Sequence, residues 1–239
     1  MGSGWAESVK RRVVTTYHFT TDKAVSPLRA ALVCDLHSAP FADFLPQLRG
    51  VDAIWVGGDL VHGVDQHMDR GLAFLRAAVS IAPVYYAPGN HEDYIPEAIR
   101  YRFYAQAKET GAVLLHNTYV RMGDYVIAGV TETPSFPMLR RFEREEGYKI
   151  LLCHRPEQYA RCAGERKIDL TLSGHAHGGQ IRLFGRGLYA PGQGVLPRLT
   201  GGLYEDGRLL VSRGMTNTVR VPRIGNPCEL VMIEISPRD

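Results

Sequence analysis

Short apolar stretches, bounded by polar or turn-forming residues, recur along most of the chain. Such stretches indicate buried β-strands. Five of them lie in the first three quarters of the sequence: AALVCD (30–35), AIWVGGD (53–59), PVYYAPGN (83–90), KILLCH (149–154) and DLTLSGH (169–175). Two further strands are predicted near RLLVSRG (208–214) and ELVMIEI (229–235), in a region rich in glycine and proline.

Helical patterns separate several of these strands. An apolar stripe with intervals of four, three and four residues is formed by Met68, Leu72, Leu75 and Val79. Residues 95–111 place Pro96 where a first helical turn tolerates it and Gly111 just past the end. Residues 113–130 then predict two strands joined by a Met-Gly-Asp turn.

The alternation of strands and helices predicts an α/β layered fold, and the extra hairpin predicts mixed rather than purely parallel sheets. We expect one domain over residues 1–239. The opening MGSGW (1–5) is open to three interpretations: native sequence, a tag, or the remnant of a truncated N-terminal segment.

The composition is that of an ordinary globular protein, with 45% hydrophobic and 22% charged residues. There is neither an apolar run of about 18 residues nor a signal-peptide pattern. The four cysteines lack metal-finger spacing, and Cys34 and Cys153 end apolar runs, which predicts reduced core residues. A reducing, cytoplasmic location is expected. Peripheral membrane association through an N-terminal segment that this sequence lacks is the alternative.

The net charge of +3 does not predict binding to a nucleic-acid polymer. Residues 182–223 nevertheless contain seven arginines and only two acids, Glu205 and Asp206, for a local charge of +5. Arginine suits phosphate oxygens. The alternative is a general preference for arginine over lysine, since the chain has 23 Arg and 5 Lys.

Each of the five early strands ends in residues that bind metals. In open α/β sheets, ligands bind outside the carboxyl ends of the strands, so these side chains should meet in one cleft. Taken alone, the two histidines at the last strand end, 175 and 177, are either solvated residues or a pair of metal ligands. The polar residues at the other four strand ends favour the pair of ligands. The predicted ligands are Asp35, His37, Asp59, Asn90, His154, His175 and His177.

Seven ligands are too many for one tetrahedral ion. With one bridging carboxylate they suit two divalent ions about 3.5–4 Å apart, the arrangement used for displacement at phosphorus. Two divalent ions with two aspartates keep the site positive, which should attract a small anionic phosphoester. The mixed N and O ligands suit Mn, Fe, Zn or Co, and we favour Mn.

The same residues form a series of motifs in order: D-x-H at Asp35, G-D at Gly58, G-N-H-E at 89–92, His154, and G-H-x-H at 174–177. This series resembles the calcineurin-like metallophosphoesterase superfamily over residues 30 to 180. The resemblance implies a four-layer αββα sandwich with two mixed sheets and a dinuclear metal site at the strand carboxyl ends.

The resemblance also assigns roles. It gives one metal Asp35, His37, Asp59 and His177, and gives the other Asp59 as a bridge with Asn90, His154 and His175. It leaves His91 without a metal, close to the leaving group. The implied reaction is attack on phosphorus by a metal-bound hydroxide, with His91 donating a proton to the departing oxygen.

Two neighbouring residues are weaker candidates for substrate binding. Where the superfamily often has G-D-x-x-D, this chain has His62 at the second acidic position; it is either a contact of a metal ligand or an ordinary loop histidine. Arg155 follows His154 and either touches a substrate oxygen or lies on the surface.

The tail from GHAHGGQIRL onwards resembles a bacterial branch of this superfamily. That branch includes phosphodiesterases, which are often membrane-anchored, and enzymes that cleave the pyrophosphate of a UDP-linked acylated glucosamine. A phosphodiester or pyrophosphate substrate, nucleotide- or lipid-linked, is therefore expected. The alternatives are a phosphomonoesterase and, from another class, a catalytically silent metal-binding interaction scaffold. A lipid-linked substrate would need an exposed apolar patch beside the cleft, for which residues 183–197 are the candidate.

Overall fold

The structure is a computed structural model that describes residues 12–63, 67–219 and 221–238. The opening residues 1–5, with their three interpretations, and Arg220 of the arginine-rich segment lie outside these ranges.

The first sheet combines the early predicted strands with the last one. In spatial order it contains β1 (Val13–Thr21), β16 (Glu229–Pro237), β2 (Leu28–Val33), β3 (Ala53–Gly57), β4 (Val84–Ala87) and β5 (Val113–Leu114). All neighbouring strands are parallel except the pair of β16 and β2. The sheet is therefore mixed, and β2, β3 and β4 direct their carboxyl ends to the same edge.

The second sheet is also mixed. In spatial order it contains β14 (Gly202–Tyr204), β15 (Leu209–Val211), β9 (Leu170–Ser173), β8 (Tyr148–Cys153), β7 (Tyr125–Val130) and β6 (Thr118–Met122). Its four inner strands are parallel, and both edge strands are antiparallel to their neighbours.

Four helices lie on the faces of these sheets or in the loops beside them: α1 (Met68–Val79), α2 (Asn90–Asp93), α3 (Glu97–Glu109) and α4 (Phe136–Phe142). Short 3-10 turns occupy Leu45–Leu48, Pro156–Gln158 and His177–Gly179, and a π-turn occupies Ala160–Gly164. No helix in the described ranges is long and apolar enough to cross a membrane.

Three apolar cores define four layers. The central core lies between the sheets and includes Trp55 from one and Ile150 from the other. A second core packs the first sheet against α1 and α3, with Phe74 and Phe103 fully covered. A third packs the second sheet against α4 through Phe142. The order helix, sheet, sheet, helix is the αββα sandwich.

The hydrophobic pattern predicted most of these elements. The stripe that starts at Met68 is helix α1, and the turn centred on Gly123, with φ +58°, joins β6 to β7 as an antiparallel pair. Strand β1 and helix α4 were not predicted. The residues of β1 alternate between half-buried and exposed at a sheet edge. Helix α4 has only seven residues, which is shorter than the window of about 11–18 residues over which a helical period is recognised.

All four cysteines lie in the described part of the chain, and none forms a disulfide. Cys34 and Cys153 are buried, as their positions at the ends of apolar runs predicted.

Two small hairpins extend from the chain after His177–Gly179. The first pairs β10 (Arg182–Leu183) with β11 (Arg186–Gly187), and the second pairs β12 (Tyr189–Ala190) with β13 (Gly194–Val195). A bridge between Ile181 and Ile224 ties this region to the loop before β16.

Candidate metal centre

The carboxyl ends of five strands from both sheets meet at one edge of the sandwich. The backbone N–H of His175, after β9, donates to Asp35 Oδ1 at 3.0 Å, after β2. His154, after β8, places Nε2 3.1 Å from Asp59 Oδ2, after β3. The two sheets therefore contribute jointly to one site, and all seven residues predicted as metal ligands are buried there.

The ligand side chains form two groups that could each hold a metal ion. One contains Asp35, His37 and His177; the other contains Asp59, His154 and His175. Within each group, one potential ligand atom per residue lies within 4.8 Å of the others. In the first group, Asp35 Oδ1 is 3.6 Å from His177 Nε2 and 4.0 Å from His37 Nε2.

Asp59 lies between the two groups. Its Oδ2 is 3.1 Å from Nε2 of His154 in its own group and 3.7 Å from Nε2 of His37 in the other. Its Oδ1 accepts a hydrogen bond of 2.8 Å from the backbone N–H of His91. A single carboxylate thus faces both groups, which is the geometry that a bridging ligand requires.

The buried polar atoms at this site that have no hydrogen-bond partner within the described residues include Nε2 of His37 and Oδ1 of Asn90. Burying such atoms without a partner is unfavourable, and native proteins rarely do so. A metal ion would satisfy both. The imidazole, carboxylate and amide donors, with no thiolate, suit Mn, Fe, Zn or Co. The buried groups are consistent with a dinuclear metal site.

Five of the seven candidate ligands adopt left-handed backbone conformations, which non-glycine residues rarely do. Their φ values are +56° for Asp35, +47° for His37, +52° for Asp59, +65° for His175 and +46° for His177. Such strain persists only where the surrounding structure imposes it, and it concentrates at functional sites. In His175 and His177, the left-handed conformation turns two side chains that follow the same strand towards one site.

Two glycines allow the ligand loops to approach each other. A Cβ atom at Gly58, where φ is +92°, would lie 2.4 Å from His154 Nδ1. A Cβ atom at Gly89 would lie 2.3 Å from Asp59 Oδ1. Any side chain at either position would displace a ligand, so the G-D and G-N-H-E motifs need glycine for steric reasons.

Other contacts orient the histidine rings. His154 Nδ1 lies 2.8 Å from the carbonyl oxygen of Gly57, and His177 Nδ1 lies 3.3 Å from that of Thr216. Arg223, a largely buried residue, places Nη2 3.1 Å from His177 Nδ1. Such contacts fix the orientation of a ligating imidazole.

Glu92 holds the loops of two ligands together, although it has no metal role itself. Its buried carboxylate accepts backbone N–H bonds from Asp59 at 3.0 Å, Val61 at 3.1 Å and Gly89 at 2.6 Å. Burial and the neighbouring Asp59 raise its pKa to about 7, while these N–H donors favour the charged form.

We expect Glu92→Ala to destabilise the protein strongly, because it leaves three buried N–H groups without an acceptor. Each unsatisfied group costs about 1–3 kcal/mol, so the free energy of unfolding should fall by about 3 kcal/mol or more. That loss corresponds to a drop in Tm of roughly 6–12 °C, measurable by thermal unfolding. The exposed Glu97 supplies the control, and equal Tm values for the two alanine variants would contradict this role.

The charges of the four candidate histidine ligands differ in the absence of metal. Burial disfavours a charged His154, but Asp59 and Asp35 outweigh it and raise its pKa to about 10. Burial, together with His154 and Arg155, lowers the pKa of His175 to about 2. Burial also lowers the pKa values of His37 and His177. At neutral pH, His154 alone among these four holds an extra proton.

Metal binding should therefore release a proton from His154. Since metal and proton compete for the same imidazole, the apparent metal affinity should rise about tenfold per pH unit between roughly pH 6 and pH 9. Calorimetric titration with Mn²⁺ in buffers of different ionisation enthalpy would count the protons, with about one expected per protein. Binding without proton release would show that His154 is neutral or takes no part in binding.

His91 and His62 lie on the cleft side of the site. The His91 ring is 4.5 Å from that of His37 and 4.8 Å from that of His62, centroid to centroid, and His91 Nε2 is 4.0 Å from Asp59 Oδ2. His62 Nδ1 lies 3.4 Å from His37 Nδ1. The structure thus brings His62 against a candidate ligand, and also groups His37, His62 and His91 closely enough to hold an ion.

Arg155 is half-buried beside the second group. Its Nη1 lies 3.1 Å from His175 Nε2, and its Nε donates to Glu132 Oε2 at 2.5 Å. Glu157 lies 3.5 Å from Nη1. The guanidinium is therefore held in place by two carboxylates at the wall of the cleft.

The site opens into a cleft of about 610 Å³. Its floor includes Asp59, Asn90, His91, His175 and His177, and its wall includes Arg155. The apolar part of the wall comes mainly from the late, glycine-rich part of the chain: Ile181, Leu188, Tyr189, Pro191, Val219 and Val221. A molecule bound here would meet both polar and apolar groups.

Several contributors to the site lay outside the sequence prediction. Glu92 is part of the G-N-H-E motif, and its position three residues after Gly89 is the spacing of a capping box, which is the signal that could have identified it. Thr216 lies two residues after the predicted strand at 208–214, and Arg223 belongs to the arginine-rich segment, but neither was predicted to contact a ligand histidine. The other arginines of residues 182–223 that the structure describes are exposed or bonded to nearby protein groups, such as Arg213 to Glu229 at 2.8 Å.

Comparison with family models gives a match over most of the chain. Residues 28–179 match the family described as "Calcineurin-like phosphoesterase". An uncharacterized metallophosphoesterase of Helicobacter pylori is 28% identical over 74% of this chain and 52% of its own length, so the chain spans about half of that relative. The uncharacterized protein YpbG of Bacillus subtilis is 28% identical over 88% of this chain and 82% of its own length.

Among solved structures, TT1561 of Thermus thermophilus is similar over 62% of this chain and 82% of its own, with a TM-score of 0.48 and 17% identity. Purple acid phosphatase PPD1 from yellow lupin covers 66% of this chain and 39% of its own, with a TM-score of 0.44 and 15% identity.

Proposed function

The chain belongs to the calcineurin-like phosphoesterase family, whose members are metal-dependent phosphoesterases, and we propose that it hydrolyses a phosphodiester or pyrophosphate bond. The observation that carries this proposal is the position of Asp59, whose Oδ2 lies within 3.7 Å of a histidine from each of the two ligand groups. A carboxylate shared in this way suits two ions placed for displacement at phosphorus.

We propose that Asp35, His37, Asp59 and His177 hold one divalent ion, and that Asp59, Asn90, His154 and His175 hold the other, with manganese favoured. When bound, such ions supply Lewis acidity and lower the pKa of a coordinated water. The protein supplies the fixed geometry, through the strained loops and the glycines packed against the ligands.

His91 is the proposed proton donor to the leaving oxygen. It lines the cleft, and its ring lies against His37 and His62. Its backbone N–H is fixed by Asp59, so its position is tied to the proposed bridging carboxylate. Protonation of a leaving group by a positioned side chain contributes typically about 10²–10⁴-fold to the rate.

Arg155 is the proposed contact for a non-bridging phosphate oxygen. Its guanidinium is already paired with Glu132 and Glu157. Among the described residues that line the cleft, it is the one arginine or lysine. A diester or an internal pyrophosphate carries a second substituent, which the apolar wall could hold, whereas a monoester carries one only. The apolar wall therefore favours the diester and pyrophosphate over the monoester.

The test is Mn²⁺-dependent hydrolysis of bis(p-nitrophenyl) phosphate beside p-nitrophenyl phosphate, with a nucleoside diphosphate sugar as a pyrophosphate probe. Turnover of the diester or the pyrophosphate in preference to the monoester is the expected result. Preference for the monoester would identify a phosphatase. Metal binding without turnover of any probe would favour the interaction scaffold instead.

A further inference from the structure

An exposed apolar surface borders the mouth of the cleft. We call it the apolar rim and define it by its exposed side chains: Leu183, Phe184, Tyr189, Val195, Leu196, Val219, Val221 and Ile224. They come from two segments, 183–196 and 219–224, which are tied together by the bridge between Ile181 and Ile224. Tyr189, Val219 and Val221 also line the cleft, so the rim is continuous with its apolar wall.

Large apolar side chains are concentrated at this rim. Sixteen of them are exposed in the described ranges, and eight belong to these two short segments. Single exposed apolar residues are common, but a contiguous group beside a binding cleft marks an interaction surface.

The backbone conformation at the rim indicates that its apolar side chains do not stabilise the turns that carry them. Phe184 is 96% exposed at the tip of the first hairpin, where it and Gly185 form a two-residue turn with φ values of +49° and +79°. Turns with two positive φ values favour Asn-Gly, and a bulky residue there is a strained outlier. Leu196 repeats the pattern, at 72% exposure and φ +52°.

The charge of the rim is positive. Its two segments contain neither lysine nor any acidic residue. Arg186 is exposed and directly follows the tip that carries Phe184. Exposed apolar side chains next to an arginine, in segments without a carboxylate, are complementary to the headgroup and acyl boundary of an anionic bilayer.

We propose that the apolar rim docks the protein on an anionic lipid surface, with Phe184, Val195 and Leu196 entering the acyl boundary and Arg186 facing the headgroups. The glycine-rich hairpins present apolar side chains at exposed tips rather than in a groove, and this form suits insertion into lipid better than a protein partner. The mouth of the cleft then faces the membrane. This docking does not depend on the reaction that the metal centre performs.

The test uses vesicles of phosphatidylcholine with and without phosphatidylglycerol, and co-sedimentation of the full chain. Binding to the anionic vesicles should weaken about tenfold or more in Phe184→Asn, because a buried aromatic side chain contributes that much. The same substitution creates the preferred turn sequence, so its Tm should stay equal or rise. A variant that folds at least as well but binds less cannot be explained by misfolding.

Tyr101→Asn is the matched control, since it makes an aromatic-to-asparagine change at a residue that is exposed on α3 and lies outside the rim. Phe184→Trp provides a second measurement, because its emission should shift to shorter wavelength with anionic vesicles. Equal binding of Phe184→Asn and the parent protein, or no binding at all, would overturn the proposal. A concentration-dependent dimer that Phe184→Asn dissociates would overturn it too, by assigning the rim to a second copy of the chain. Turnover of the soluble diester by Phe184→Asn reports separately on the proposed function.

Discussion

Replacement of Asp59 by asparagine is expected to abolish metal-dependent turnover. The substitution keeps the size of the side chain but removes the charge that lies between His37 and His154. Loss of a residue that merely supports a ligand costs about 10–100-fold in metal affinity or activity, and loss of the shared carboxylate should exceed that. Steady-state kinetics should show a decrease of about 10³-fold or more, and elemental analysis should show fewer than two ions per chain.

The exposed Asp69 at the start of α1 provides the same substitution away from the site, and Asp69→Asn should keep both metals and full turnover. If Asp59→Asn keeps two tightly bound ions and more than about a tenth of the turnover, the carboxylate does not bridge and the proposed ligand sets need revision.

His91→Ala is expected to separate metal binding from catalysis. Because His91 lines the cleft and belongs to neither proposed ligand set, both ions should remain bound. Turnover of alkyl phosphodiesters, whose leaving groups need a proton, should fall by about 10²–10⁴-fold. Aryl phosphodiesters with good leaving groups should be affected much less. The measurement is kcat for an alkyl and an aryl substrate, beside the metal content.

His18, an exposed residue of β1 paired with Glu234, provides the control alanine substitution. An empty metal site in His91→Ala would make His91 a ligand, a result compatible with its place in the group of His37, His62 and His91. Equal losses of kcat on alkyl and aryl substrates would instead indicate that His91 stabilises the transition state without protonating the leaving group.

The sequence predicted the parts of the molecule that depend on local pattern. A buried parallel strand has a short apolar sequence, and a polar side chain at its carboxyl end can reach a cleft. Asp35, Asp59 and His154 each follow such an apolar stretch, so both features could be recognised in the sequence. The helical period located α1, and the stripe from Met68 to Val79 lies within that helix.

The parts that escaped prediction depend on contacts between distant segments. Strand β1 gains its partner only from β16, and Arg223 reaches His177 through folding of the late loops. The role of Glu92 depends on the backbone of Asp59 and Val61, which the capping-box spacing to Gly89 does not reveal. The left-handed conformations of the ligands are likewise invisible in the residue types.

The position of β16 has a consequence for how the chain acquires its shape. This strand lies between β1 and β2, with Val13 opposite Glu229, so the first sheet has an open gap until residues 229–237 emerge from the ribosome. Pairing between such distant segments is slow, and an unpaired strand edge recruits other chains. During synthesis, one edge of β2 stays unpaired after all the strands of the second sheet have been made. Low expression levels and low temperature should therefore favour soluble protein, because fewer chains are then present at the same time with that edge exposed.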